Sequence, residues 1–312
     1  MRTFSQAERA CEASFSKAGP YWHAYTSGKN TPIIFATEAD LKFVMNVIAQ
    51  AAILFKPICD AYGCHIGGLL IITFEVMNNH LHFVVSGVEE IIRAFFDYIR
   101  KRLKRTIPNA NLLDLQLKPI ETLTALRNQI VYTNRNGYVA FSDYTPFSYP
   151  WGSGRYYYNE IPLNTKSSDY SVTQMRDLFR GRAPEIPENY LMIDDYVAPS
   201  SYCAIKFGMS MFRDAHHYFY SLTKNVEAYS GVSADIDDDE FLTDAELFGK
   251  VIAIIRERYK TDSLNNLSKA QKIELAKVLR YEFHSSNGQI RRTLGLTQYE
   301  VDSLFPLRVN SR

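Results

Sequence analysis

Two β-rich runs, residues 68–77 (GLLIITFEVM) and 80–87 (HLHFVVSG), are separated only by Asn78 and Asn79. Asparagine tolerates the backbone angles of tight turns, so the economical way to join the runs is an antiparallel hairpin. The hairpin is too apolar to stand alone and needs helices or further strands to cover it. Residues 21–26 (YWHAYT) supply another aromatic-rich strand, stopped by the turn chemistry of SGKN. Between the two lies a helix pattern. Thr37 is placed to cap it and Glu38 and Asp40 sit in its first turn, near the positive end of the helix dipole. Leu41, Val44, Met45, Ile48, Ala52 and Phe55 then recur at helical spacing up to Pro57.

A second helix is expected over residues 88–106. Ile91, Ile92, Phe95, Phe96, Ile99 and Leu103 share one face, and Arg100, Lys101, Arg102, Lys104 and Arg105 crowd its end. Cations there complement the dipole and also suit phosphate binding. Pro119 is placed to open a third helix through Leu123, Leu126, Ile130 and Val131, with Gly137 to end it. The order β-α-β-β-α followed by an extra helix predicts an α+β fold. Its core is a small antiparallel sheet of ferredoxin- or RRM-like order with helices on one face, and an all-helical C-terminal region follows.

From residue 143 the composition shifts to DYTPFSYPWGSGRYYYN, aromatic-rich loop chemistry that either packs as a lid over its own domain or stacks on unpaired bases. The acidic run DIDDDE at residues 235–240 reads as a linker. Residues 241–306 read as consecutive helices, with Leu247, Val251, Ile254 and Ile255 on the first and Ile273, Leu275, Ala276, Val278 and Leu279 on the second. SNGQIRRTLGLTQYEVDSLF then has helix-turn-helix spacing, with a turn at Gly295 and a new helix capped by Thr297. In that arrangement a short helix starts at about Gln289, Gln298, Tyr299 and Glu300 face bases, and Arg291 and Arg292 meet phosphates; a plain helical packing module fits the same spacing. Three regions result: 1–142, 143–240 and 241–312.

Charge divides along the same lines. The overall +1 hides +3 over residues 1–150, −6 over 151–240 and +4 over 241–312. Mildly basic ends around an acidic middle suit a chain that holds a polyanion at both ends, and also suit ordinary solvated surfaces. No run of about 18 apolar residues and no apolar leader is present, so neither membrane contact nor secretion is expected and the cytoplasm is the expected compartment. Cys11, Cys59, Cys64 and Cys203 form no CxxC pair, so a disulfide framework and a zinc ribbon are not indicated.

The chemistry concentrates in MNNHLHFVV. His80 and His82, one residue apart on a strand, point to the same face, while Leu81 points to the other. Two imidazoles on one face can share a divalent metal, whereas two buried structural histidines each need a partner for a ring N–H.

Three blocks in order carry a resemblance: YWHAYTSGKNTPIIF, ITFEVMNNHLHFVVSG and LRNQIVYTNRNGYV. They resemble the opening strand, the histidine motif and the nucleophile helix of the single-tyrosine HUH transposases, the IS200-like and REP-associated group, over about residues 15–140. The resemblance implies that residues 1–142 are a catalytic domain. It also implies Mg²⁺ or Mn²⁺ held by His80, His82 and a polar residue one helical turn after a tyrosine, which attacks DNA to leave a 5′-phosphotyrosine and a free 3′-OH. An ungapped alignment on Arg127 and Gly137 puts Asn128 at the nucleophile position; a shift of one turn puts Tyr132 there and Asn136 as the third ligand. The shift keeps Tyr132 and Asn136 on one helix face. The family's proline after the asparagine is Gly137 here.

The expected partner is single-stranded, hairpin-containing DNA, touched by Lys101, Arg102, Lys104, Arg105, Arg127, Gln289, Arg291, Arg292 and Gln298, with a homodimer implied by the resemblance. The departure at Asn128 keeps a second reading open, a domesticated transposase that binds a specific DNA sequence without cutting it. RNA binding is a weaker third, since the strands show no RNP-like aromatic pattern.

Overall fold

The computed structural model describes residues 4–29, 31–141, 144–182, 185–224, 226–236, 238, 242–283 and 285–306. It divides into two compact units, Met1–Asp238 and Asp239–Arg312.

In the first unit helix α1 (Phe4–Phe15) precedes β1 (Tyr21–Thr26) and α2 (Glu38–Leu54). A two-stranded ribbon of β2 (Ile58–Cys59) and β3 (His65–Gly67) leads into the hairpin β4 (Leu70–Val76) and β5 (Leu81–Ser86). Then follow α3 (Glu89–Leu103), β6 (Leu115–Ile120) and α4 (Leu123–Ala140). The sheet order is β4-β5-β1-β6 with every pairing antiparallel. This is the expected α+β architecture with one strand more, β6, which completes the ferredoxin-like order. The capping of α2 is as expected: Thr37 accepts from the Asp40 N–H, and the Asp40 carboxylate accepts from the Thr37 N–H.

The two faces of the sheet are covered differently. Phe83 of β5 meets Phe95 and Phe96 of α3 edge-on, with ring centroids 5.6 and 6.5 Å apart. On the other face Val84 of β5 and Ile72 of β4 join Leu126 and Ile130 of α4 in one core. With both faces buried, β4 and β5 are buried at every residue, which is why residues 68–77 run apolar without alternation.

Pro119 does not open a helix. It lies in β6 opposite Trp22, on a strand paired only with β1, where its missing N–H breaks no ladder. Thr122 caps α4 instead, accepting from the Ala125 N–H. Gly137 lies inside α4 rather than at its end, because a Cβ there would stand 2.2 Å from the Tyr149 ring.

The described residues between 144 and 238 pack onto this unit instead of standing apart from it. They contain α5 (Val172–Leu178), the hairpin β7 (Met192–Ile193) and β8 (Tyr196–Val197), α6 (Ile205–Met209), α7 (Ala215–Lys224) and α8 (Val226–Asp235). The aromatic loop forms a lid along the edge strand β4. Gly152 bridges to Glu75, the Ser153 N–H donates to the Phe74 carbonyl, and the hydroxyls of Tyr149 and Tyr157 donate to the carbonyls of Val76 and Ile72. The open edge of the sheet is thereby sealed. Asn30, Asp143, Asp237, Asp239 and Glu240, which belong to the expected turn, loop and linker, lie outside the described residues.

The second unit holds α9 (Asp244–Tyr259), α10 (Lys269–Tyr281), α11 (Asn287–Leu294) and α12 (Gln298–Leu304). Each of these helices starts with a reciprocal capping box, from Thr243, Ser268, Ser286 and Thr297 respectively. Gly295, at φ 64°, makes the expected turn between α11 and α12. Among the described residues no helix is long and apolar enough to cross a membrane.

Candidate metal centre and tyrosine site

β5 lies inside the sheet, between β4 and β1, so a side chain on its α4 face has water on neither side. His80, just before the strand, and His82, within it, are 3% and 0% exposed, with ring centroids 4.8 Å apart. Gly28 makes room for His80: a Cβ there would fall 2.5 Å from its ring. α4 crosses the same face and sets Tyr132 edge-on against His82 at 5.6 Å between centroids. Of the two positions that compete for the nucleophile, it is thus Tyr132 that stands at the histidines.

A carboxylate completes the group. Asp238 Oδ2 accepts from the Tyr132 hydroxyl at 2.5 Å and lies 3.2 Å from His82 Nε2. One ligand atom from each of His80, His82 and Asp238 can be chosen with all of them within 4.8 Å of one another. This is the spacing of donors that can converge on one small cation.

Hydrogen bonds behind the histidines decide which nitrogen each presents. The Asn79 amide nitrogen donates to the carbonyls of Gly28 and Thr31 at 3.0 and 2.9 Å, so its oxygen is the atom facing His80 Nδ1, 2.6 Å away. His80 therefore carries its proton on Nδ1 and leaves Nε2 bare. A longer chain serves His82. Gln129 Oε1 lies 2.5 Å from His23 Nδ1, and His23 Nε2 lies 3.1 Å from His82 Nδ1. These contacts permit His23 to donate from Nδ1 to Gln129 and His82 to donate from Nδ1 to His23, the arrangement that would leave His82 Nε2 free for a cation. Both Nε2 atoms and Asp238 Oδ1 are buried without a hydrogen-bond partner among the described residues. Unpartnered buried ring nitrogens beside a carboxylate oxygen are what a divalent cation requires, and hydrogen bonds that orient the rings are what its outer shell supplies.

Burial drives the electrostatics. It pushes His80 and His23 down to about 3, with His82 adding to the shift in both. Both rings are therefore neutral at pH 7. The Tyr132 phenol is raised well above its ordinary value by burial, then by the neighbouring Asp238 and Tyr229. Burial raises the Asp238 carboxyl, but His82, His80 and the Tyr132 hydroxyl outweigh it and hold it well below the usual carboxylate range. In this arrangement the proton between Tyr132 and Asp238 belongs to the phenol.

Asn136, expected as the third ligand, lies one turn beyond Tyr132 with its amide oxygen accepting from the Tyr229 hydroxyl at 2.5 Å. Tyr229 also lies against Tyr132, with centroids 4.9 Å apart. No motif in the sequence singles out His23, Gln129, Tyr229 or Asp238. Strand alternation places His23 with Tyr21 and Tyr25 on one face of β1, a signal that was available. Nothing local marks Asp238, which sits in a run of acids typical of linkers.

The expected DNA contacts are scattered. Arg127 is buried: it donates to the Met211 carbonyl at 2.6 Å and pairs with Glu8 at 2.7 Å, so it ties α4 to α1 and displays no charge. Lys101, Lys104 and Arg105 are exposed at the end of α3, and Arg102 donates to the Phe179 carbonyl at 2.8 Å. In the second unit Arg291 is exposed, Arg292 forms a two-pronged pair with Asp244 at 2.6 and 3.1 Å, Gln289 caps α11 and donates to the Leu242 carbonyl, and Gln298 donates to Asp302.

No protein-family model, curated protein or solved structure matches this chain. Its function is therefore argued from the site.

Proposed function

We propose that this chain is a metal-dependent transposase or endonuclease that cuts single-stranded, hairpin-containing DNA and stores the broken bond on Tyr132 as a 5′-phosphotyrosine. The observation that carries the reading is the convergence of a tyrosine hydroxyl and two correctly oriented histidine Nε2 atoms on one buried carboxylate. Most buried polar groups in folded proteins are paired, and here, among the described residues, three unpaired atoms lie together around one point.

His80, His82 and Asp238 would hold the cation, Mg²⁺ or Mn²⁺ by the hardness of a site that includes a carboxylate and by the resemblance. Such an ion, when bound, supplies positive charge that polarises the phosphate and makes the phenol more acidic. The chain's own residues do the rest. Tyr132 Oη attacks phosphorus; the new O–P bond forms as the P–O3′ bond breaks, and the 3′ oxygen leaves as a hydroxyl by taking up the proton that Asp238 accepts from the phenol. Asp238 Oδ2, already in hydrogen-bond contact, receives the phenol proton. Holding the phosphoryl group on tyrosine splits the transfer into two displacements and permits joining to a different 3′ end. Since Tyr132 is 0% exposed, DNA entry requires the Tyr229 ring that packs on it to move aside.

That same depth favours a second reading, a DNA-binding regulator with the nucleophile permanently covered. Incubation with a pool of hairpin-bearing single strands and Mn²⁺, followed by denaturing electrophoresis and mass spectrometry, separates the two. The catalytic reading expects an adduct mapped to Tyr132, absent with chelator and absent in Tyr132→Phe. Adducts that persist in Tyr132→Phe sink the assignment of the nucleophile, and binding without any adduct selects the regulator. The cytoplasm is the compartment this reading assigns.

A further inference from the structure

On the opposite face of the sheet from the tyrosine, α2, the end of α3 and the turn after α5 enclose a cavity of about 510 Å³. Arg102, Arg105, Arg180 and Arg182 line it, with Gln50 and a single acid, Glu185. The arginines come from two stretches of chain far apart in sequence, one of them in the region whose overall charge is acidic.

Two of these guanidinium groups are held in place. Arg180 donates to the Ala39 carbonyl at 2.9 Å and to Asp40 at 3.0 Å, and lies 4.6 Å over the Phe43 ring. Arg102 donates to the Phe179 carbonyl and lies 6.0 Å from the same ring. The backbone there is unusual: Arg180 adopts φ 45°, a left-handed conformation that glycine ordinarily fills after a helix, and Gly181 follows at φ 156°. Arg105 and Arg182 are exposed and have no ion-pair partner among the described residues. Like charges gathered around one concavity repel each other unless an anion is to be shared.

We propose that this cavity binds backbone phosphates of the DNA strand. Planar guanidinium forks match phosphate oxygens two at a time, and a space of this size admits more than one phosphate group. The site rests on the DNA reading given above and extends it to a second surface, remote from the tyrosine, where strand not undergoing cleavage is gripped.

The test uses the full chain and a hairpin-bearing oligonucleotide, with affinity measured by fluorescence anisotropy across a salt series. Each lost phosphate contact lowers the slope of log affinity against log salt by about 0.7–0.9. The pair Arg105→Ala and Arg182→Ala should therefore flatten the slope by about 1.5 and weaken binding about tenfold or more at low salt. Arg105→Lys with Arg182→Lys should restore the slope. An unchanged slope in the alanine pair overturns the proposal, and so does a deoxynucleoside triphosphate that displaces the oligonucleotide and binds as tightly, which would make this a nucleotide pocket. Metal-dependent adduct formation at saturating oligonucleotide is followed in parallel. Adducts in the wild type with no change of slope in the alanine pair remove the arginine site and leave Tyr132 standing. A flattened slope with no adduct in any form leaves the arginine site and removes the cleavage reading.

Discussion

The two faces of β5 are made by alternate residues of one short strand, yet they obey different rules. Leu81, Phe83 and Val85 are apolar and buried, and Phe83 packs on α3. His82 on the other face, and His80 just before the strand, are as deeply buried but polar, and each is held by a hydrogen-bonded neighbour. The apolar face is stabilised by removing area from water, at roughly 25 cal/mol per Å². The two histidines gain little from burial, since every ring nitrogen must find a partner or leave a desolvated atom at its centre. The comparison teaches that a strand can be equally buried on both sides while one side is wholly apolar and the other, where Val84 joins the α4 core, also carries the polar His82.

The sharpest way to break it is to truncate each face in turn. Phe83→Ala should cost about 3–5 kcal/mol in denaturant unfolding, from lost transfer energy and the cavity left behind. His82→Ala, which leaves the His23 ring without its partner, should cost about 1–3 kcal/mol in metal-free protein. If Mn²⁺ is the ligand, the wild type should be stabilised by about 2.7 kcal/mol at a hundred times the dissociation constant, and His82→Ala should abolish that gain. Equal losses for the two variants, or Mn²⁺ stabilisation that survives His82→Ala, would dissolve the distinction.

The outer shell is tested next. Asn79→Ala and Gln129→Leu keep all the proposed ligands but release the tautomers of His80 and His82, so Mn²⁺ affinity measured by calorimetry should fall about 10–100-fold in each. Gln129→Glu, which still presents an acceptor to His23, should retain most of it. Affinity indifferent to Asn79 and Gln129 would show that the hydrogen bonds merely fill space.

The last test is one of pH. His80 and His23 are pushed from 6.5 down to about 3 in the fold, so above pH 6.5 both states bind the same protons and their contribution to stability is whole. As pH falls from 6.5 toward 3 the unfolded chain takes up protons that the folded one refuses, and stability is lost. Metal-free His23→Gln should show a shallower decline over that window in chemical unfolding, and an unaltered decline would mean that His23 is not held neutral.

Much of the first unit was legible because its signals are local. The period of two in HLHFVVSG set Leu81 against His80 and His82, and the Thr37 cap with the stripe from Leu41 to Phe55 marked a helix. Pro119 misled because a proline that opens a helix and a proline on an edge strand look alike until the strand's neighbours are known; here β6 has only β1 beside it. Gly137 misled for a related reason, since its role is to let Tyr149 approach, a contact with a residue twelve positions away across the lid. The DNA-facing residues divided in the same manner: Arg127 looks like any cation in the sequence, and only its pairing with Glu8 takes it out of reach of a ligand.

By itself the sequence determined the hairpin, the helices that cover it and the shared face of His80 and His82, because periodicity and turn chemistry act over a few residues. Only the tertiary structure decided that Tyr132 meets those histidines, that Asp238 from an acidic run closes the group, and that His23 and Gln129 orient it. Those contacts join residues from 50 to more than 150 positions apart, and no local pattern encodes a partner that the chain must first fold to reach.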